Sequence, residues 1–165
     1  MIKDSGERRE FESGAVRDIQ EGKGRCDLMP LEEIGNALAI GHENLGYDPF
    51  IQRLYMFQKS KSNVVRVHEL LGAIEVFAIS NDWDMPTALL EVAKHFEEGA
   101  AKYGEFNWQK GIPTHCYLDS TIRHYLKWLR GDTDEFHNRA VIWNLLCMIW
   151  TIRNKPEYDD LKNGT

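Results

Sequence analysis

One stretch of the sequence carries two acids, a histidine and a lysine at helical spacing. Residues 91 to 102 read EVAKHFEEGAAK. A helix advances about 100° per residue, so four of these polar side chains fall within about 60° of one another. They are Glu91, His95, Glu98 and Lys102. Because carboxylate oxygens and imidazole nitrogens bind divalent cations, this stripe predicts one half of a metal site.

A second polar stripe lies on a later helix that is otherwise apolar. Residues 140 to 152 read AVIWNLLCMIWTI, which predicts a buried central helix. Asn144 lies in its middle and needs a partner, because an unpaired buried amide costs roughly a few kcal/mol. Asp134, Glu135 and His137 extend the stripe toward the N-terminus. We interpret it as the other half of a site between packed helices, the alternative being that Asn144 only bridges to a neighbouring helix end.

The segment over residues 13–27, called the leader below, is a candidate phosphate-binding segment. Basic residues alternate there with glycines, although the Walker spacing is lacking. Its candidate cations are Arg17, Lys23 and Arg25. A solvated, glycine-broken leader explains the same pattern equally well.

Two further candidates lie between the stripes. Asn107 and Trp108 form a loop that can hold a nucleobase, since an amide binds a base edge and an indole offers a stacking face. An indole that fills the core is the simpler explanation of Trp108. His124 shares a helical stripe with aromatic residues. It is either a core residue or a group that donates to phosphate or orients a water.

The composition restricts the class of protein. A net charge of −6 disfavours a nucleic-acid polymer as partner, since that needs a basic face. No apolar run approaches the roughly 18 residues that cross a bilayer, and the first residues are charged, unlike a signal peptide. The three cysteines are widely spaced and fit neither a disulfide framework nor a zinc motif. We therefore expect a cytoplasmic protein without a membrane partner.

Helical signals recur along the chain, and no long stretch alternates with the two-residue period of a strand. We predict a single all-α domain over residues 1–165, a helical bundle with a flexible tail over residues 1–12 and a helical hairpin inserted over residues 41–83. N-cap residues and terminal glycines set most helix limits, and residues 41–47 are predicted as a loop. The predicted helices run from Pro30 to Ala39, Pro49 to Lys59, Asn63 onward, Asp84 to Tyr103, His115 to Arg130, and from a cap at residues 132–135 to Arg153.

Five strings in this order resemble a known family. They are SGAVRD, GKGRCDLMP, HFEEGAAKYGEFNWQKGIP, HCYLDSTIRHYLKWLRGD and DEFHNRAVIWNLLCMIW. They resemble the phage-type dATP/dGTP diphosphohydrolase family, which is similar to the all-α nucleotide pyrophosphohydrolases of MazG type. The resemblance implies an enzyme that uses Mg²⁺ or Mn²⁺ to cut dGTP or dATP between the α and β phosphates, releasing the monophosphate and pyrophosphate. In some phage members the product supplies dGMP for genomes that carry 2-aminoadenine. Family members usually form a homodimer or homotetramer.

Together, spacing and resemblance give a set of candidate site residues. The candidate substrate ligands are Arg17, Lys23, Arg25, Lys102, Tyr103, Asn107, Trp108 and Asn144. The candidate metal ligands are Glu91, His95, Glu98, Asp134 and Glu135, and the candidate catalytic groups are Glu98, His124, Glu135 and His137.

The chain departs from the MazG type at the metal motif, and two alternative functions stay open. MazG-type enzymes carry E-E-x-x-E on one helix and E-x-x-D on the next, whereas here Glu97 and Glu98 are followed by Ala101. The family's ligand set therefore cannot be transferred position by position. The alternatives are a pyrophosphohydrolase for another nucleotide, such as dUTP, and a non-enzymatic helical interaction module of a phage.

Overall fold

Six α-helices and a two-stranded sheet make up the part of the chain that the computed structural model describes, residues 4–40 and 47–162. The all-α prediction is therefore confirmed. The antiparallel strands are β1 (Arg8–Glu10) and β2 (Val16–Asp18). The helices are α1 (Leu31–Ile40), α2 (Pro49–Lys59), α3 (Asn63–Ser80), α4 (Met85–Tyr103), α5 (Thr114–Arg130) and α6 (His137–Asn154). Single 3₁₀ turns lie at Cys26–Leu28, Asn107–Gln109 and Pro156–Tyr158.

Local capping explains where the helices begin and end. The side chains of Asp48 and Asp84 accept hydrogen bonds of 2.8 Å from the backbone N–H groups of Ile51 and Thr87, which caps α2 and α4. Helix α5 ends at Gly131, whose φ of 86° lies in the left-handed region that glycine adopts without strain. The predicted limits of these helices are confirmed to within one residue.

The predicted cap of α6 is wrong. The helix begins at His137, and Phe136 at its N-cap position makes no side-chain capping bond. Instead, Asp134 contacts the His137 ring, and Asp132 accepts hydrogen bonds from Arg130. The acids that the sequence placed on the helix therefore lie in the connection before it.

Residues 8–10 form strand β1, whereas the sequence predicted a flexible tail over residues 1–12. Arg9 lies opposite Arg17 in the register, and Ser5 donates to Asp18, which holds the segment from residue 4 against β2. Strands of three residues are too short for a two-residue period to show in the sequence. Residues 1–3, and residues 41–46 of the predicted 41–47 loop, lie outside the described residues.

The core lies between α5, α6 and the α2–α3 hairpin. Helix α6 buries Val141, Leu145 and Met148 completely, which confirms its prediction as the central buried helix. The hairpin packs on α5 through aromatic rings, with the centroids of Phe50 and Tyr125 4.2 Å apart. Helix α4 packs against α6. None of the helices among the described residues is long and apolar enough to cross a membrane.

A buried ion pair fastens the C-terminal segment to α3. The Arg66 guanidinium donates to both carboxylate oxygens of Asp159, at 2.5 and 2.9 Å, and the two side chains are 1% and 2% exposed. Thr114, the first residue of α5, donates to the same carboxylate at 3.1 Å. Three separate segments therefore meet at one buried carboxylate.

The neighbouring pair of His115 and Asp160 predicts a pH dependence of stability. The carboxylate of Asp160 and the contact with Cys116 raise the pKa of His115 to about 10, above the ordinary value of about 6.5. The folded state therefore binds this proton more tightly than the unfolded state. Its stabilising effect is complete below about pH 6.5 and is lost as the pH rises toward 10.

Urea unfolding of the wild type and of His115→Gln should show this effect. The difference in free energy of unfolding between the two proteins should be constant between about pH 5 and 6, where Asp160 is ionised, and should shrink between pH 6.5 and 10. A difference that does not vary with pH would contradict the His115–Asp160 ion pair.

Candidate functional site

A cavity of about 600 Å³ lies between the β1–β2 hairpin and the helices α4, α5 and α6. This volume is typical of small-molecule sites. Its polar and charged lining includes Asp4, Ser5, Arg9, Arg17, Asp18, Gln20, Lys23, His95, Asn107, Ser120, Arg123, His124, Lys127, Glu135 and Asn144. Its apolar and aromatic lining includes Val16, Ile19, Tyr103, Ile112 and Trp143. Charged groups and aromatic faces thus share one cavity.

Arg17 of β2 enters this cavity from the hairpin side. Its Nη2 donates to Ser120 Oγ at 2.9 Å and to Asn144 Oδ1 at 3.3 Å. The guanidinium carbon lies 5.2 Å from the Tyr117 ring centroid and 5.9 Å from that of Trp143, within cation–π range. The partner that the buried Asn144 requires is therefore Arg17, together with the carbonyl of Ala140.

One nitrogen of Arg17 is left for a ligand. Its Nη1 is buried and has no hydrogen-bond partner among the residues that the structure describes. A buried donor without a partner costs about 1–3 kcal/mol. Arg17 lines the cavity, so this unpartnered donor belongs to a side chain that a bound anion can contact.

Four further cations line the cavity: Arg9, Lys23, Arg123 and Lys127. Lys23 is held by Asp18 at 2.6 Å, and Arg123 by Asp119 at 2.8 Å. Burial acts to raise the pKa of Asp18, but hydrogen bonds from Lys23 and Ser5 lower it overall, so Asp18 is a carboxylate. Five cations against the three acids Asp4, Asp18 and Glu135 give the lining a net positive charge, which suits phosphate oxygens.

A chain of one carboxylate and two imidazoles lies at the edge of the cavity. Asp134 Oδ1 is 2.7 Å from His137 Nε2, and His137 Nδ1 is 2.8 Å from His124 Nδ1. Burial, and then the neighbouring His137, lowers the pKa of His124 well below its usual range. The His124 ring is therefore neutral at physiological pH and keeps a lone pair for a proton or a metal ion.

Two groups of side chains in residues 4–40 and 47–162 bring three possible metal ligands within 4.8 Å of one another. One consists of His124, Glu135 and His137, and the other of Asp132, Asp134 and His137. In the first, His124 and Glu135 also line the cavity, whereas Asp132 and Asp134 do not belong to the described lining.

The four residues of the stripe predicted on α4 do not all belong to the cavity. His95 lines the cavity, where burial lowers its pKa to about 4 and keeps the ring neutral. Glu91 instead forms ion pairs with Arg139 at 2.8 Å and with Lys94 at 2.8 Å. Glu98 and Lys102 are not in the described lining, and Lys102 Nζ lies 3.8 Å from Asp4. Neither three-ligand group contains a residue of α4.

The two residues of the predicted nucleobase loop also lie in different surroundings. Trp108 packs in T-shaped contacts with Phe96 and Trp150, at 5.7 and 5.1 Å between centroids, which matches the alternative that it fills the core. The Asn107 amide accepts from Val16 N–H and donates to the Val16 carbonyl, each at 2.9 Å. Asn107 therefore holds β2 beside the cavity.

Three more substrate candidates can be placed. Lys23 and Tyr103, which the sequence proposes as substrate ligands, line the cavity. Arg25 lies outside the described lining and forms an exposed bidentate pair with Asp27 at 2.7 and 2.8 Å. The cations of the leader are thus not equivalent, although the sequence treats them alike.

Some lining residues escaped the sequence analysis. Asp4, Ser5 and Arg9 lie in the segment taken for a tail, where strands of three residues leave no periodic signal. Ser120 lies four residues before His124 on the same face of α5, and that spacing is the signal that could have identified it.

Comparison with known protein families identifies a match. A family model described as dATP/dGTP diphosphohydrolase, N-terminal, matches residues 56–161. The match includes α3 to α6, hence the helical walls of the cavity, but not the β1–β2 hairpin. No curated protein and no solved structure matches the chain significantly.

Proposed function

Because the chain belongs to the dATP/dGTP diphosphohydrolase family, we propose that its cavity holds a deoxypurine nucleoside triphosphate and hydrolyses it to the monophosphate and pyrophosphate. The family is one of hydrolases, and this disfavours the non-enzymatic interaction module. The observation that carries the proposal is the position of Arg17: a buried guanidinium with an unpartnered donor, in a cavity of net positive charge.

The cations of the cavity supply the chemistry that phosphoryl transfer needs. Its transition state spreads charge over the phosphate oxygens, so catalysis depends on positioning and on fixed positive charge. Arg17, Lys23 and Arg123 approach from two sides, the hairpin and α5. Their ion pairs with Asp18 and Asp119 hold Lys23 and Arg123 in place before a ligand binds.

Aromatic side chains of the cavity offer a place for the base. Tyr103 and Trp143 line the cavity on α4 and α6, and either ring can pack against a purine. Trp108 is partly buried against the core and is not in the described lining, so it is not part of this proposal. A purine offers these rings a larger face than uracil does, and this is the proposed basis of a preference for dGTP or dATP over dUTP.

Glu135 and His124 are the groups placed to move protons. Glu135 is a lining carboxylate beside His124 and can accept the proton of an attacking water. His124 is connected through His137 to Asp134, which fixes the orientation of the rings. The emerging pyrophosphate is stabilised by the same lysine and arginine side chains that hold the triphosphate.

A divalent cation, Mg²⁺ or Mn²⁺, belongs to the proposal. When bound, such an ion neutralises phosphate charge and lowers the pKa of a coordinated water. Mg²⁺ prefers oxygen ligands, yet Glu135 is the one predicted metal-binding acid that lines the described cavity. Its neighbours are imidazoles, so the donors fit Mn²⁺ better than Mg²⁺.

A nucleotide panel tests the proposal. The purified protein should release pyrophosphate from dGTP or dATP with Mn²⁺, and much less from dUTP. A thermal shift with Mn²⁺ and a non-hydrolysable dGTP analogue should show stabilisation that neither component gives alone. Release from dUTP alone would favour the alternative nucleotide, and no release from any nucleotide would refute the proposal.

Asn107 gives a prediction about how the hairpin contributes. Asn107→Ala removes both hydrogen bonds to Val16, the residue before Arg17, so Arg17 should lose its fixed position. We expect the KM for dGTP to rise about tenfold or more, corresponding to about 1.4 kcal/mol or more. Asn154→Ala is the matched control, because that amide donates to the nearby Trp150 carbonyl on the exposed end of α6. Equal KM values in both variants would show that the hairpin does not position the substrate.

The assembly and the biological role are further proposals. Helix α6 is covered within the chain, so it offers little apolar surface to a second copy. Exposed apolar side chains lie instead on α3 and α4, at Leu71, Ile79, Leu89 and Leu90. We propose that the protein forms a homodimer or homotetramer through these helices. We also propose that it acts in the cytoplasm, where its product supplies dGMP for the 2-aminoadenine DNA of a phage. Light scattering tests the assembly.

A further inference from the structure

Two imidazole rings meet at the edge of the cavity in an arrangement that constrains their protons. His137 is 2% exposed, and its Nε2 faces Asp134 Oδ1 at 2.7 Å. A carboxylate accepts and does not donate, so Nε2 carries the hydrogen in this contact. In the tautomer with its one hydrogen on Nε2, His137 offers an Nδ1 lone pair, and this atom lies 2.8 Å from His124 Nδ1.

That separation suits two ligands of one metal ion. Metal–imidazole bonds are about 2.0–2.1 Å long, so two nitrogens at roughly 90° around an ion lie about 3 Å apart. Without an ion, the same contact is satisfied by one N–H···N hydrogen bond. Exchange of that proton for a cation keeps the separation of the two nitrogens, and each ring turns so that both lone pairs meet at the ion.

Glu135 completes a facial set of three ligands. Its carboxylate lies within 4.8 Å of both imidazole ligand atoms, and it lines the cavity together with His124. Asp134 stands behind His137 as the carboxylate that typically orients a metal-binding histidine. The rival group with Asp132 is less suitable, because both oxygens of Asp132 accept hydrogen bonds from Arg130.

The donor types select the ion. Two imidazoles and one carboxylate suit Mn²⁺, Fe²⁺, Co²⁺ or Zn²⁺, whereas Mg²⁺ takes oxygen ligands almost exclusively. We propose that His124, Glu135 and His137 form a binding site for a divalent transition-metal ion at the cavity wall, oriented by Asp134, and that this site discriminates against Mg²⁺. The carboxylate motifs of MazG-type enzymes are thus replaced by an imidazole site. The inference rests on the proposed function for its role, but the binding itself requires no nucleotide.

Metal binding without nucleotide tests the site independently of hydrolysis. Chelator-treated protein is titrated with Co²⁺, and its visible absorption is followed in the presence of a tenfold excess of Mg²⁺. One Co²⁺ should bind per chain, and Mg²⁺ should not displace it. His124→Gln and Asp134→Asn should weaken Co²⁺ binding by at least about tenfold. His68→Gln is the matched control, since that histidine is exposed on α3, and it should bind as the wild type does.

A spectroscopic measurement keeps the test independent of folding in the variants. Pulsed EPR of Mn²⁺ bound to the wild type should show coupling to directly coordinated ¹⁴N. A fall from two coupled ¹⁴N nuclei to one in a folded His124→Gln protein, verified by circular dichroism, would support the assignment. Bound Mn²⁺ without ¹⁴N coupling, or displacement of Co²⁺ by Mg²⁺, would overturn it. Intact metal binding with no dNTP hydrolysis would instead refute the proposed function and leave this site standing.

Discussion

Replacement of Arg17 by alanine is expected to lower kcat/KM for dGTP by roughly 10²- to 10³-fold, the cost of removing one fixed donor to a developing charge. Arg17 lines the cavity and has both a fixed orientation and an unpartnered donor among the described residues. Ser120 and Asn144 hold one of its nitrogens, and Nη1 is left for a phosphate oxygen. Steady-state kinetics with pyrophosphate detection measures the effect.

Two further variants separate charge from geometry. Arg17→Lys keeps the positive charge but loses the planar fork, so we expect activity between those of the wild type and Arg17→Ala. Arg53→Ala removes an ion-paired arginine on α2, away from the cavity, and should leave kcat/KM unchanged. If Arg17→Ala and Arg53→Ala were equally active, Arg17 would have no role in the reaction.

Replacement of Asp159 by asparagine is expected to lower the free energy of unfolding by about 3–5 kcal/mol. Asparagine has the same shape, but it leaves the Arg66 charge buried without a counter-ion. Arg66 is 1% exposed, so water cannot replace the lost carboxylate. For a chain of this size, the loss corresponds to a Tm lower by roughly 6–20 °C. Differential scanning calorimetry measures it.

The exposed pair of Arg53 and Glu69 is the control for burial. Its guanidinium and carboxylate are 3.1 Å apart, but the arginine side chain is 39% exposed. Glu69→Gln should therefore cost no more than about 1 kcal/mol. If both substitutions cost the same, burial of the Arg66–Asp159 pair would not be what makes it important.

The helices could be predicted because their signals are local. Asp48 and Asp84 before a proline-containing first turn, and Gly131 after α5, act within four residues of where they stand. The β1–β2 hairpin could not be predicted, because its position depends on partners far along the chain. Asn107 holds Val16 across 91 residues, and Arg17 reaches Asn144 across 127.

The candidate site shows the same distinction between local signals and distant partners. The prediction of a stripe on α4 was correct as helical geometry, since Glu91, His95 and Glu98 lie on one face of that helix. The sequence could not show that Arg139 of α6 would pair with Glu91. The need of Asn144 for a buried partner was predictable from burial alone, but the partner, Arg17, depends on how the leader folds.

The position of bond cleavage is the most direct test of the proposed reaction. The purified protein is incubated with dGTP and Mn²⁺ in H₂¹⁸O, and the products are analysed by mass spectrometry. If water attacks the α-phosphorus in the cavity, one ¹⁸O should be found in dGMP and none in pyrophosphate. Label in inorganic phosphate with dGDP as the second product, or release of intact triphosphate, would contradict the account.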